Sequence, residues 1–242
     1  MVRSSLVGAQ VNVEPLRQQV AKNGVGVRLR ASATTLAGNT RGVIFGSSAL
    51  AGFHSQRNVA YLILTGDYTR LNGVVSVAKW FGHARHNYEL RRWLWWEAYA
   101  QLESDRFRRV NLRKLLGTGP RVCIFQSDAL ELFYGLSYMY EQTALETADR
   151  QPTGEGSAHR LSNYVALTLR AHERISLSSV SYFQPRINQP SDSRVLSVTG
   201  ADFSVTSLLH SRIDVSVRYD SATPSDVRRE DVELKSSLEV AF

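Results

Sequence analysis

Apolar and polar residues alternate over residues 232–242. Val232, Leu234, Leu238, Val240 and Phe242 share one parity with Ser236; Glu233, Lys235, Ser237, Glu239 and Ala241 share the other. A period of two predicts a strand with one apolar and one polar face. The same alternation recurs along most of the chain. It predicts strands at about 25–36, 42–53, 59–68, 76–90, 93–103, 107–125, 130–141, 160–170, 175–184, 194–205 and 212–219, with 232–242 closing the set. The stretch 42–53 is rich in Gly, Ser and Ala, and its apolar face is ambiguous.

Turn residues separate these strands. The connections expected after strands two, four, six, eight and ten are short. Those after seven (143–158), nine (185–193) and eleven (221–231) read as long polar loops. An even count of about twelve strands, with short and long connections on opposite sides, is the pattern of a transmembrane antiparallel up-and-down β-barrel. A single alternating strand would also suit a soluble sandwich. Twelve apolar strand faces with no helices to cover them would leave a large apolar surface in water. In lipid that surface is required, and closure removes unpaired edges. The fold expected is therefore all-β, with a barrel over residues 23–242 and an N-terminal periplasmic segment over 1–22. In that segment Pro15 and Gly24 bracket a short helix.

Parity assigns the faces. His83, Arg85, Asn87, Glu97, Gln101, Glu103 and Arg113 fall on the inward parity of three consecutive strands and form a candidate lumen-lining polar cluster. Lys114 falls on the lipid parity, unless a bulge at Gly117 or Gly119 shifts the register. Trp93, Trp95 and Trp96 sit beside a short turn and predict an aromatic belt at one membrane interface, with Phe242 on the same side. Leu238, Val240 and the aromatic Phe242 resemble the signal read by the outer-membrane assembly machinery, so deleting Phe242 is expected to impair assembly.

Composition narrows the classes. Hydrophobic residues make up 43% of the 242 residues, and no apolar run approaches the ~20 residues of a membrane helix. The net charge is +7, and of 29 basic residues only Lys22, Lys79, Lys114 and Lys235 are lysine. The arginines are spread along strands and accompany no nucleic-acid motif, so nucleic acid is not an expected partner. Arginine suits carboxylates in a lumen and lipopolysaccharide phosphates outside. One cysteine, Cys123, allows no intrachain disulfide. The first ten residues lack the apolar core of a secretion signal. An exported barrel then implies a longer precursor.

Residues 83–121 carry a resemblance. Arg85-x-Asn87-Tyr88, Glu97, Gln101, Asp105-x-Phe107 and Arg113-x-Leu115-x-Gly117-x-Gly119-x-Arg121 resemble the family called domain of unknown function 481, or salt-induced outer membrane protein. Ala37-Gly38-Asn39-Thr40 is similar to that family's first hairpin. The resemblance implies a Gram-negative outer-membrane barrel of uncharacterised activity, with no catalytic residues to carry over.

Three functions fit at this stage. The first is a narrow pore for small polar solutes or ions. The second is a structural envelope barrel whose lumen is closed by charge pairs. The third and weakest is an outer-membrane lipid hydrolase. His86 has lipid-side parity, but Asn87 faces the other way and no serine is placed beside it. His83 and His86 lie on opposite faces of one strand, which argues against a metal pair. No cofactor and no catalytic residue is expected. The expected surroundings are outer-membrane lipid, lipopolysaccharide and, during biogenesis, the assembly machinery, with the protein a monomer.

Overall fold

A computed structural model describes residues 24–147, 151–206 and 209–240. The expected segment 1–22 and the residue Phe242 lie outside the described residues. Twelve strands follow one another: β1 (Gly24–Leu36), β2 (Gly42–Ser55), β3 (Asn58–Leu71), β4 (Val74–Arg91), β5 (Leu94–Asp105), β6 (Val110–Gln126), β7 (Leu130–Glu146), β8 (Pro152–His172), β9 (Ile175–Arg186), β10 (Gln189–Ser204), β11 (Leu209–Asp220) and β12 (Glu230–Val240). Each pairs antiparallel with its sequence neighbours in one up-and-down sheet.

The sheet rolls into a barrel around its polar face. Arg113 on β6 comes within 3.9 Å of Asp220 on β11. On a flat sheet, strands five apart lie about 24 Å from each other. Tyr164 on β8 likewise reaches Glu97 on β5 at 2.6 Å. Among the described residues no ladder joins β12 to β1.

Burial is inverted relative to a water-soluble protein. Leu116 (59% exposed), Ile124 (58%) and Phe183 (49%) stand on the outer face, while arginines and glutamates fill the interior. This inversion is the arrangement of a transmembrane barrel and excludes a soluble sandwich, whose sheets would bury the leucines. Lys114 does stand exposed on the outer face, opposite Leu102, and no register shift at Gly117 or Gly119 moves it inward. It lies four residues from the start of β6, near the rim, where a lysine stem can carry its ammonium to the interface.

Two expected long loops are mostly strand. β7 runs on to Glu146 and β8 starts at Pro152, so residues 152–158 are paired rather than looped. β9 and β10 are joined by residues 187–188 alone, with an irregular pairing between Gln189 and Ser193. The reason is physical. β8 has 21 residues, about 70 Å at strand rise, far more than the ~25 Å apolar band of a barrel. Residues 152–157 are exposed throughout. Outside the bilayer both faces of a strand are wet, so hydrophobic alternation vanishes while pairing continues. The connection after β11, residues 221–229, is the longest. The short side holds, with residues 56–57, 92–93 and 173–174 as two-residue turns.

Candidate functional site

Inward side chains from β4 to β11 meet in two ionic layers separated by an aromatic one. The layer nearer the short turns is built on Glu97. Arg85 Nη1 and Arg121 Nη1 stand 3.6 and 3.7 Å from its Oε1, and the Tyr164 hydroxyl donates to its Oε2 at 2.6 Å. Arg121 also donates to the Tyr164 oxygen at 3.2 Å and lies over the Phe133 ring at 4.0 Å. One carboxylate thus serves two buried guanidiniums, and rings cover them where water would otherwise be. An apolar group of Phe133, Ala166, Val180, Leu196 and Val198 packs beneath.

Above this layer, the His83 ring stacks near Tyr61, Phe81 and Tyr99 at 6.1–6.2 Å between centroids. Tyr99 exchanges a hydrogen bond with Ser137 at 3.0 Å. The tyrosines need space. Gly117 lies opposite Tyr99 and Gly135 opposite Tyr164 in the ladders. A Cβ on Gly117 would meet Tyr99 at 2.2 Å, and one on Gly135 would meet Tyr164 at 2.0 Å. Each inward glycine is the floor on which a ring from the next strand lies.

The upper layer continues from His83 as one chain. Gln101 Oε1 lies 3.3 Å from His83 Nδ1, and Gln101 donates to Glu103 at 3.1 Å. Arg113 donates to Glu103 at 2.7 Å and to Thr143 at 3.2 Å, and Thr143 donates to Glu141 at 2.8 Å. Glu141 also accepts from Arg160 at 3.0 Å and from Arg194, which in turn donates to Asp220 at 2.8 Å. Arg160 reaches Asp192, in the irregular start of β10, at 2.8 Å. Charged groups, an amide, an imidazole and the Thr143 hydroxyl alternate along it, so the chain holds its geometry as a unit. At the lip, Arg109 donates to Asp226 at 2.9 Å. Asp226 is half exposed, so Asp226→Ala should change unfolding free energy by at most about 1 kcal/mol in a urea titration.

The structure buries all seven of the lumen residues named from parity. It divides them between layers. Arg85 and Glu97 belong to the lower one. His83, Gln101, Glu103 and Arg113 belong to the upper chain. Asn87 pairs with Glu97 across the ladder, and its Oδ1 has no hydrogen-bond partner. Parity did not single out Arg160, Arg194 and Asp220, whose positions fall at the mouths of presumed loops. Arg121 shares the parity of Arg113 on β6, and Glu141 is inward on β7; what ties them in is contact across the barrel.

The aromatic belt needs one correction. Trp93 and Trp96 are exposed on the outside, and Trp96 donates to Thr118 at 2.8 Å. Trp95 is on the inward parity of β5 and packs edge-on against Phe133 at 5.6 Å between centroids. Adjacent residues of a strand face opposite ways, so Trp95 and Trp96 cannot share a belt. The side chains of Leu238 and Val240 are outside what is described. His86 lies on the outer face and pairs with Asn58 at 3.0 Å. Among the described residues no His, Cys, Asp and Glu group has the makings of a metal site.

Comparison with solved structures gives distant likenesses. A NanC porin matches with a TM-score of 0.48 and 8% identity, over 90% of this chain and 99% of that one. A bacterial polysaccharide outer membrane secretin matches with a TM-score of 0.47 and 10% identity, over 92% and 99%. No curated protein matches by sequence. The family model described as "Protein of unknown function, DUF481" matches residues 29–242, which include every strand from β2 to β12 and all of the lumen residues above. On that match over most of its length, this chain belongs to the DUF481 family.

Proposed function

We propose that this protein is an outer-membrane barrel of a Gram-negative envelope whose lumen is closed at mid-depth, acting as a structural element of that membrane. The observation that carries the reading is the filling of the interior. Glu97, Met139 and Arg160, at 1%, 0% and 2% exposure, are as buried as core residues of a soluble domain. They lie between the two ionic layers or within them. Ion passage would require breaking the Glu103–Arg113–Glu141 chain, leaving buried charges unpaired. The apolar exterior and the exposed Trp93 and Trp96 favour a bilayer partner, with lipopolysaccharide phosphates at the outer rim and a monomeric state.

The alternative, a narrow pore for small polar solutes or ions, is separated by one measurement. Purified protein in planar bilayers should give no steady conductance steps at moderate voltage. Steady, ion-selective steps would replace the closed barrel with the pore. A second readout tests the barrel itself. Unboiled protein in SDS should migrate differently from boiled protein, because a closed hydrogen-bonded sheet resists the detergent; unchanged mobility would remove the membrane assignment.

A further inference from the structure

The rim of the lumen on the side of the longer connections holds more guanidinium than its carboxylates can pair. A cavity of about 30 Å³ there is walled by Arg108, Arg113, Arg194 and Arg218, with Gln101, Gln184 and Asp220 beside them. It shares Arg108, Arg113, Arg194 and Asp220 with a wider basin of about 340 Å³. The small cavity thus has four arginines and one acid on its wall.

The nearby acids are already engaged. Glu141 serves Arg160 and Arg194, and Asp192 serves Arg160. Glu103 serves Arg113. Asp105 accepts the backbone amides of Phe107 and Arg108 at the single turn of 3₁₀ helix that follows β5. Asp220 is held by Arg194 at 2.8 Å and stands 3.7 and 3.9 Å from Arg108 and Arg113. Asp231, also within electrostatic reach of Arg218, is exposed at the start of β12. Two buried donors remain without a hydrogen-bond partner, Nη1 of Arg108 and Nε of Arg218, and both side chains line the same small cavity, within electrostatic reach of each other. A buried guanidinium with unused donors is costly unless an anion answers it.

We propose that this cavity is an anion site that seats one oxyanion group, a carboxylate or phosphate, of a small solute whose remainder lies in the wider basin. The space admits a single small group, and its wall takes Arg108 from the turn after β5 and Arg218 from β11. Planar, multi-donor arginines match an oxyanion's lone pairs better than they match a spherical ion. Gln101 lines the same wall and keeps one amide hydrogen beyond the one it gives Glu103, while Gln184 is held by Ser162 and Met139. The site requires the rolled barrel but not a closed lumen, so it stands apart from the question of conduction.

The test is calorimetry on folded protein in a non-ionic detergent at low salt, titrated separately with inorganic phosphate, acetate and sodium chloride. Phosphate or acetate should show one saturable site, weakened by added salt. Arg218→Gln and Arg108→Gln should each reduce that affinity by about tenfold or more. Lys114→Gln, which removes a cation from the outer face, should leave it unchanged. Heat-dependent gel mobility checks that each variant is folded. If Arg218→Gln does not fold, Arg218→Lys takes its place, keeping the charge and losing the fork. The proposal is overturned if the parent shows no saturable oxyanion uptake, if folded arginine variants bind as tightly as the parent, or if chloride binds as tightly as either oxyanion. Conductance steps alongside absent phosphate and acetate binding would remove this site and leave the barrel intact.

Discussion

Glu97→Ala should destabilise the folded barrel by about 3–5 kcal/mol, the cost of leaving a buried charge without its partner. Glu97 is the carboxylate that both Arg85 and Arg121 approach, and it accepts the Tyr164 hydroxyl at 2.6 Å. Removing it leaves two cations in an interior where Glu97 itself is all but inaccessible. The neighbouring rings of Phe133, Tyr99 and Tyr164 soften this, because each lies within 4.0–5.8 Å of a guanidinium. Cation–π attraction of about 1–2 kcal/mol per contact cannot replace a charge-assisted hydrogen bond together with an ion pair. Glu97→Gln should fall between the parent and Glu97→Ala, since an amide oxygen still accepts from Tyr164. The measurement is urea unfolding from lipid vesicles, followed by tryptophan fluorescence. Trp95 packs on the Phe133 ring that covers Arg121 and so reports on this layer. A loss below about 1 kcal/mol for Glu97→Ala would mean that water already reaches the arginines, and the closed lumen would have to be abandoned.

The second large effect is steric. Gly135→Ala places a methyl 2.0 Å from Tyr164 Cε1 and 2.3 Å from its Cζ. The ring cannot swing aside freely, because the hydroxyl at its tip is held by Glu97 and Arg121. Either the ring leaves its rotamer or β7 and β8 separate. Overpacking of this kind costs about 1–3 kcal/mol, and displacing the hydroxyl adds part of the Glu97 penalty. Gly135→Val should fail to give heat-modifiable protein. The double variant Gly135→Ala with Tyr164→Ala separates clash from general intolerance. It removes the ring, so its stability should equal that of Tyr164→Ala alone within about 0.5 kcal/mol. If Gly135→Ala were as costly without the ring as with it, the glycine would be required for its backbone and not for the floor it gives Tyr164.

Much of this protein is legible from parity. Outward Leu62, Leu64, Tyr68, Trp80 and Tyr88 and inward His83, Arg85, Glu97 and Gln101 follow from counting in twos once a strand is recognised. Within the bilayer the two faces meet different solvents, so selection on each is strong and the alternation is clear. It fails where that contrast ends. Residues 152–157 carry no alternation because water lies on both sides, yet they pair with β7 as far as Glu146. Trp95 illustrates a different failure. Three tryptophans within four residues suggest a belt by composition, whereas the strand period sends Trp95 inward and Trp96 outward.

The sequence by itself determined the approximate strand count, the facing of most residues in strands with clear alternation and the all-β membrane class, because these depend only on the two-residue period and the spacing of turns. The pairing of charges was decided by the tertiary structure. Glu97 meets Tyr164 across 67 residues of chain, Glu141 meets Arg194 across 53, and Arg109 meets Asp226 across 117. Parity puts Glu97, Tyr164 and Glu141 on inward faces and is silent on Arg194, Arg109 and Asp226 at strand ends and turns; it cannot say at what height or opposite whom the inward ones lie. Height is set by ladder register and by how the sheet curls. Those depend on every hairpin at once, through the shared curvature that lets Gly117 and Gly135 carry the rings of Tyr99 and Tyr164.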